Sequence, residues 1–211
     1  MARNQELFDA ITKGRRKDVA AIVQDLIDSK ANVEEILMES MIPAMREIGD
    51  RFSRNEVYVP EMLIAARAMQ AGLDLISPLL AETGHEPLGK VCIGTVKGDL
   101  HDIGKNLVAM MVKGAGYEVM DLGVDCDVSK FDEAVSNGAQ IVMLSALLTT
   151  TMPYMKEVVD HLKAKGANIK VLIGGAPVTQ EYADEIGADG YSSDANEAVT
   201  SVEKAFAALH A

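Results

Sequence analysis

A histidine flanked by two aspartates is the feature of this sequence most suited to chemistry. His101 lies in the segment Thr95-Val-Lys-Gly-Asp-Leu-His-Asp-Ile-Gly-Lys-Asn106, two residues after Asp99. One ring nitrogen of such a histidine can ligate a metal while the other donates to a carboxylate that fixes the tautomer and the ring orientation. Gly98 and Gly104 are expected to permit the tight backbone that this needs. The alternative is a polar surface histidine with no further role, the more common case for a histidine in a loop.

The same segment ends like a phosphate-binding P-loop, with Gly104-Lys105-Asn106, but differs from one in three respects. Five residues rather than four separate the two glycines, and an asparagine replaces the usual serine or threonine. Asp99 and Asp102 would also repel a phosphate group. We therefore reject a nucleotide phosphate site at this position.

Two further segments carry residues suited to a polar or flat ligand. The first is rich in hydroxyl groups and contains Ser145, Leu147, Thr149 and Thr151. In this segment Thr151 is alternatively the N-cap of the following helix. The second is Gly174-Gly175, which either lets a ligand approach the backbone closely or forms only a tight turn between a strand and a helix.

Each of these segments follows a short apolar run that is typical of a buried strand. Strands are predicted at Lys90–Thr95, Tyr117–Leu122, Gln140–Ser145 and Ile169–Ile173, with a short fifth strand near Gly190-Tyr191. Helices are predicted at Ile103–Gly114, Val128–Asn137, Pro153–Lys165, Val178–Ile186 and Asp194–Leu209. This alternation predicts an α/β fold, a parallel five-stranded sheet with helices on both faces. In a flavodoxin-like strand order, the loops after the first, third and fourth strands meet where ligands bind.

The first 83 residues show only helical spacing of apolar residues, which predicts a four-helix bundle. A weak helix near residues 3–14 is followed by the apolar segments Val19–Ile27, Ile36–Ile48 and Pro60–Ile76, with a bend expected at Pro43. The stretch Glu82–Gly89, which includes His85, contains two glycines and one proline and is predicted to be a linker. We therefore predict two domains, residues 1–84 and residues 89–211.

Composition excludes several classes of function. The net charge is −12, and the acidic excess is shared by both halves, so no basic face is expected for a nucleic acid. No run approaches the apolar length of a membrane span and no signal-peptide pattern is present, which predicts a cytoplasmic protein without a membrane partner. Cys92 and Cys126 provide neither a disulfide framework nor a zinc site.

Taken in order, the motifs Asp-x-His-x-x-Gly, Ser-x-Leu and Gly-Gly resemble those of the cobalamin-binding module of cobalamin-dependent methionine synthases. Over nearly its whole length, the chain resembles the small corrinoid proteins of methyltransferase systems. Val96–Asn106 is the most specific stretch. The resemblance implies a helical bundle followed by a flavodoxin-like (Rossmann-like) domain, with cobalamin or a related corrinoid such as methylcobalamin as the cofactor.

The resemblance also implies roles for individual residues. His101 replaces the cofactor's own base as the lower axial cobalt ligand, and Asp99 accepts its other N–H. Methionine synthases complete this relay with a serine where this chain has Thr151, which leaves the third member open. The other implied corrinoid contacts are Gly98, Leu100, Asp102, Ile103, Gly104 and Leu147 in the loops, Ser145, Thr149, Gly174 and Gly175 around the nucleotide tail, and Tyr58, Met62 and Met69 over the upper corrin face.

The function implied by the resemblance is that of a methyl carrier. A substrate:corrinoid methyltransferase delivers the methyl group to cobalt, and a methylcorrinoid:acceptor methyltransferase passes it to a tetrahydrofolate-type or thiol acceptor. A reductive activating protein is a third implied partner. The alternatives are a cobalamin-dependent sensor, which needs an output domain, and the free cobalamin subunit of an adenosylcobalamin mutase, against which the helical bundle argues. The methyl donor (methanol, a methylamine, an aryl methyl ether or a betaine) is not specified by the sequence.

Overall fold

The computed structural model describes residues 3–84, 86–166 and 168–210, and the chain divides into two compact units. One unit comprises residues 1–87 together with 114–116, and the other comprises residues 88–113 and 117–211. His85, in the predicted linker, lies outside the described residues.

The first unit is helical. Its elements are α1 (Gln5–Thr12), α2 (Arg16–Asp28), α3 (Val33–Ile36), a π-helical segment (Leu37–Met41), α4 (Ile42–Ser53) and α5 (Val59–Glu82). The side chains of Asn4 and Asn32 accept backbone N–H groups at the starts of α1 and α3. α3, the π-helical segment and α4 are continuous and together form one long helix. With α1, α2 and α5, the described residues of this unit contain the four helices that the apolar spacing predicts.

A π-helical segment lies directly before Pro43, where the sequence predicts a bend. Proline lacks an N–H group, and its ring clashes with the carbonyl group four residues earlier, here that of Glu39. The hydrogen-bond ladder widens over Leu37–Met41 to accommodate it. Ser40 in this segment is buried, and its hydroxyl accepts the Asn4 N–H at 2.9 Å.

The expectation that no apolar run reaches membrane-spanning length is wrong for α5. Within the described residues, this helix is long and apolar enough to cross a membrane by length and composition. The core helix of a bundle passes the same test, and 44% of the apolar window is buried. Met62, Met69 and Ile76 are among its buried side chains.

The second unit is a parallel sheet with alternating helices. Its strands are β1 (Lys90–Thr95), β2 (Glu118–Asp121), β3 (Ile141–Ser145), β4 (Lys170–Gly174) and β5 (Gly190–Ser192), in the order β2-β1-β3-β4-β5. Its helices are α6 (Ile103–Gly114), α7 (Val128–Ser136), α8 (Pro153–Ala164), α9 (Gln180–Ile186) and α10 (Ala195–Leu209). This is the flavodoxin-like order, so the predicted α/β class and sheet are confirmed.

Strand register places the predicted ligand segments along one edge. Ser145 at the end of β3 pairs with Thr95 of β1 on one side and with Gly174 of β4 on the other. Gly174 in turn pairs with Ser192 of β5. The three loops of interest therefore start from adjacent positions on the carboxyl edge of the sheet.

Both cysteines lie in the core of this unit and neither forms a disulfide. Burial raises the pKa of the Cys92 thiol to about 12. The pKa of Cys126 is also raised, mainly by burial and to a smaller degree by nearby aspartates such as Asp125. Neither thiol is therefore suited to act as a nucleophile.

Candidate functional site

The centre of the site is the carboxylate of Asp99, which is fully buried and accepts five hydrogen bonds. Oδ1 accepts the backbone N–H of His101 at 3.1 Å and faces Nδ1 of the same residue at 2.7 Å. Oδ2 accepts the backbone N–H groups of Leu147 at 2.8 Å and Leu148 at 3.1 Å. The Thr151 hydroxyl donates to the same Oδ2 atom at 2.8 Å. Asp99 thus joins the loop after β1 to the loop after β3.

These hydrogen bonds decide the protonation state of Asp99. Burial by itself raises the pKa of the carboxyl group, but the donors from Leu147, His101 and Thr151 outweigh burial and hold the pKa well below its usual range. The side chain is therefore a carboxylate, an acceptor only.

The tautomer of His101 follows from this carboxylate. Since Asp99 Oδ1 can only accept, the proton of the neutral imidazole lies on Nδ1, and the lone pair lies on Nε2. Nε2 has no hydrogen-bond partner among the described residues, and 52% of the side-chain surface is exposed. The structure therefore presents an oriented imidazole nitrogen that is free to bind a metal.

Thr151 does not act as the N-cap of α8. Its hydroxyl donates to Asp99, and the residue at the N-cap is Met152, whose side chain makes no capping hydrogen bond. The structure thus brings Thr151, Asp99 and His101 into one hydrogen-bonded chain. The added methyl group of threonine leaves this contact intact.

The two glycines of the His101 segment differ in their backbone roles. Gly98 has φ +83°, a conformation that favours glycine, as the tight-loop argument requires. Gly104 has no such conformation, because it lies in the first turn of α6, so the tight-backbone expectation is wrong for it. A Cβ atom at Gly104 would meet nothing within 4 Å, so the space beside this glycine is open.

The paired glycines after β4 serve close packing of the protein's own backbone. Gly175 has φ +134°, and a Cβ atom there would lie 1.9 Å from the carbonyl oxygen of Ala146. At Gly174 a Cβ atom would lie 3.2 Å from the Ser192 carbonyl oxygen. Any side chain at Gly175 would therefore push the loops after β3 and β4 apart.

Large apolar side chains are exposed around the histidine. Leu100 is 72% exposed and Ile103 is 76% exposed, on either side of His101 in sequence. Leu147 and Leu148, whose N–H groups bind Asp99, expose 43% and 41% of their surface. Exposed apolar side chains grouped in this way are typical of a ligand surface.

The remaining predicted residues show no comparable network. Ser145 is half-buried at the end of β3, and Thr149 is exposed in the loop beyond it. Asp102 is exposed, and its carboxylate accepts the side-chain amide of Asn106 at 3.1 Å. In the helical unit, Met62 and Met69 are buried and Tyr58 is 65% exposed. The roles proposed for these side chains toward a cofactor stay predictions.

Three residues that the sequence did not single out support the loop. The buried hydroxyl of Thr95 donates to the His101 carbonyl oxygen at 2.8 Å. Asp125 accepts the Gly98 N–H at 2.8 Å. The buried ammonium group of Lys105 lies 2.5 Å from Asp121 Oδ1. In the sequence, Asp125 is a charged residue in a predicted loop and Lys105 is a charged residue in a predicted helix. Both patterns are typical of surface residues, so neither residue could be recognised from the sequence.

Fold and site together define a class of flavodoxin-like proteins with a single exposed, oriented histidine at the carboxyl edge of the sheet. No group of three or more histidine, cysteine, aspartate or glutamate side chains is arranged to hold a metal ion within the described ranges. The imidazole of His101, the apolar side chains beside it and the open space at Gly104 fit a macrocycle that carries its own metal ligands.

Comparison with known proteins gives the family. Residues 89–200 match a family model described as a B12 binding domain, and residues 3–77 match a second model with the same description. The chain is 39% identical over 210 residues to a corrinoid protein of Desulfitobacterium hafniense, covering 97% of each chain. It is 40% identical over 209 residues to a dimethylamine corrinoid protein of Methanosarcina barkeri, covering 96% of this chain and 97% of that one.

A solved structure agrees with these relatives. A chain of the methanol:cobalamin methyltransferase complex MtaBC from Methanosarcina barkeri superposes with a TM-score of 0.86 at 27% identity, covering 96% of this chain and 78% of that one. The protein belongs to the corrinoid protein family, and its cofactor is a corrinoid of the cobalamin type.

Proposed function

We propose that this protein is the methyl carrier of a corrinoid-dependent methyltransferase system. It accepts a methyl group from a substrate-specific methyltransferase and delivers it to a second methyltransferase. The observation that carries the proposal is the Asp99–His101 pair, whose free Nε2 atom lies beside exposed apolar side chains in a family of corrinoid proteins. When bound, the corrinoid supplies a cobalt ion that accepts and gives up the methyl group.

The residues of the chain have three tasks in this proposal. His101 would hold the cobalt ion through Nε2, and Asp99 holds the proton of the ring on Nδ1 and fixes the direction of the ring. Thr151, Leu147 and Leu148 keep the Asp99 carboxylate in place by donating to its second oxygen.

The other predicted contacts complete the proposed cofactor site. Leu100, Ile103 and Leu147 would offer apolar surface to the corrin ring. Gly98, Asp102 and Gly104 lie close to Leu100 and Ile103 in the sequence. Ser145 and Thr149 offer hydroxyl groups to the nucleotide tail beside Gly174 and Gly175. The pairing of Ser145 with Gly174 in the strand register supports placing these residues at one site.

We assign the two parts of the chain to different tasks. Residues 89–211 bind the corrinoid, and the helical bundle of residues 1–84 has a separate cofactor-related role for which Tyr58, Met62 and Met69 are the candidate residues. The match of residues 3–77 to a B12 binding domain model supports a cofactor-related role for the bundle.

Methyltransferases are the proposed partners because the relatives are named for such systems. One solved relative belongs to a methanol:cobalamin methyltransferase complex, and others are dimethylamine and trimethylamine corrinoid proteins. These names do not favour the sensor or the mutase subunit. A tetrahydrofolate-type or thiol acceptor, a reductive activating protein and a cytoplasmic location are the finer parts of this proposal.

Electron paramagnetic resonance tests the proposal directly. The protein is labelled with ¹⁵N-histidine, reconstituted with cobalamin and reduced to the cob(II)alamin form. We expect the superhyperfine triplet of ¹⁴N to become the doublet of ¹⁵N, because His101 replaces the cofactor's own base. His101→Gly should lose the coupling and regain it on addition of imidazole.

A matched control is His161→Ala, which removes another histidine of the same unit and should keep the doublet. A ¹⁴N triplet that persists in the labelled wild-type protein would show that the cofactor's own base remains bound, and the proposed ligation would be wrong.

A further inference from the structure

The turn between β2 and α7 holds the His101 loop through one residue, Asp125. The backbone N–H of Asp125 donates to the carbonyl oxygen of Asp99 at 3.1 Å. In return, its carboxylate oxygen Oδ1 accepts the backbone N–H of Gly98 at 2.8 Å. Two peptide groups of the loop, Lys97–Gly98 and Asp99–Leu100, are thus held by a single aspartate that lies 24 residues after His101 in the chain.

Asp125 adopts an unusual backbone conformation to make these contacts. Its φ is +50°, and only two other non-glycine residues of the described chain have positive φ, Lys30 and Asn55. Those two directly follow the C-caps of α2 and α4, where a left-handed residue is common. Asp125 follows no helix, so its conformation serves a different purpose.

The turn is itself anchored at both ends. Asp121 Oδ1 accepts the backbone N–H of Gly123 at 2.9 Å and the buried ammonium group of Lys105 at 2.5 Å. At the other end, the Cys126 N–H donates to the Thr95 carbonyl oxygen at 2.9 Å, in a parallel bridge beside Val96. Asp125 is therefore held from the sheet and from α6, and cannot move freely with the loop.

Asp99 consequently has two separate supports. Its carboxylate is fixed by the loop after β3, whereas Asp125 holds its carbonyl group and the N–H of the preceding Gly98. The direction of the His101 ring depends on both, because Nδ1 follows Oδ1 of Asp99. A rotation of the Asp99 peptide would turn the carboxylate and tilt the imidazole with it.

We infer that Asp125 is a positioning residue that sets the direction of the Asp99–His101 pair toward cobalt. The inference rests on the proposed ligation by His101. Asp125 makes no contact with the imidazole and acts only through the loop backbone. Its effect should therefore appear in the fraction of bound corrinoid that is ligated by histidine.

Three substitutions separate the contributions of Asp125. Asp125→Asn keeps an oxygen acceptor and tolerates the left-handed conformation. Asp125→Gly keeps the backbone conformation and the N–H donor but removes the acceptor for Gly98. Asp125→Ala removes the acceptor and also disfavours the conformation.

The measurements are the ¹⁵N-histidine coupling in the cob(II)alamin form and the affinity for cobalamin by equilibrium titration. We expect Asp125→Asn to match the wild-type protein. Asp125→Gly should weaken affinity by about tenfold, the effect of roughly one lost hydrogen bond, and give a mixed spectrum with part of the cobalt unligated by histidine. Asp125→Ala should lose more affinity for cobalamin and more of the histidine coupling than Asp125→Gly.

Asp189→Ala is the matched control. Its carboxylate accepts the Val171 N–H at 2.9 Å, a comparable bond between strands at the opposite, amino edge of the sheet. This variant should lose stability without any change in the histidine coupling.

Wild-type coupling and affinity in both Asp125→Gly and Asp125→Ala would overturn the inference, as would a loss in Asp125→Asn equal to that in Asp125→Gly. If Asp125→Ala does not fold, the comparison between Asp125→Asn and Asp125→Gly tests the inference instead. Absence of histidine coupling in the wild-type protein is a separate result, which would overturn the proposed ligation and this inference together.

Discussion

At the scale of single residues, the site depends on a buried carboxylate whose water donors are replaced by five donors of the protein itself. Asp99 receives two backbone N–H groups from one loop, one N–H and a ring nitrogen from its own loop, and the hydroxyl of Thr151. Burying a charge is unfavourable unless hydrogen bonds replace the lost water, and here they do. The result is an ion that is rigid enough to orient an exposed imidazole.

Thr151 allows a test of this arrangement with nearly isosteric variants. Thr151→Val removes one donor from Asp99 Oδ2 and keeps the shape, so we expect a loss of about 1.5–3 kcal/mol in the free energy of unfolding, the usual range for a hydrogen bond to a charged group. Thr151→Ser keeps the hydroxyl and should lose less than 1 kcal/mol. Urea unfolding of the cofactor-free protein measures both.

The same pair of variants shows whether the hydroxyl belongs to the relay. In the reconstituted protein, the valine variant should show weaker histidine ligation than the serine variant. Equal stability and equal ligation in the two variants would show that the Thr151 hydroxyl contributes nothing to Asp99.

At the scale of secondary structure elements, a buried lysine fastens α6 to the end of β2. The Lys105 side chain is almost fully buried, and its ammonium group contacts Asn106 Oδ1 at 2.6 Å and Asp121 Oδ1 at 2.5 Å. The Asp121 side chain, in contrast, keeps 45% of its surface exposed. Water can therefore reach the Asp121 carboxylate if the ion pair is broken, but it cannot reach the Lys105 ammonium group in the same way.

This difference predicts an asymmetric effect of mutation. Asp121→Ala leaves a buried ammonium ion with only Asn106 as a partner, and we expect it to lower the free energy of unfolding by about 3 kcal/mol. Lys105→Met removes the buried charge while the exposed carboxylate becomes hydrated, so the loss should stay within about 1 kcal/mol. Denaturant unfolding of both variants gives the comparison, and an equal or reversed order would contradict the explanation.

The elements themselves were largely predictable because their signals are local. The bounds of β1 and α6 were both correct, since an apolar run and an amphipathic period define them within the sequence. α9 begins at Gln180, two residues later than predicted, because Thr179 caps it by accepting the Tyr182 N–H. Pro43 predicted a bend at this point, but the π-helical segment before it depends on how the neighbouring residues pack.

The supporting residues of the site were not predictable in the same way. Asp125 acts on Gly98, which lies 27 residues earlier in the chain, and it does so through backbone groups that carry no sequence signature. Lysine is usually a surface residue, and only the three-dimensional packing reveals that Lys105 is buried. Gly175 was recognised as important, but its contact with Ala146 depends on how two loops meet.

At the scale of the whole molecule, most of the proposed cofactor contacts lie in one unit of a strongly acidic protein. Five loops at the carboxyl edge of the sheet arise from different parts of residues 95–194, and the cofactor would contact at least three of them. A ligand that binds the folded state alone stabilises that state by mass action. Cofactor removal should therefore be visible in the thermal stability of the chain.

We expect the cobalamin-loaded protein to unfold about 5–10 °C above the cofactor-free protein when free cobalamin is present at about a hundred times its dissociation constant, which corresponds to roughly 2.7 kcal/mol. Differential scanning calorimetry measures this shift. A cobalt-free corrinoid at the same free concentration should give a smaller shift in unfolding temperature. It keeps the stabilisation from the loop and apolar contacts but lacks the stabilisation from ligation by His101. The unfolding temperature of His101→Gly should therefore rise by the same amount with the two corrinoids, whereas Asp189→Ala should keep the difference between them. Equal rises in the wild-type protein would show that ligation by His101 adds nothing to binding.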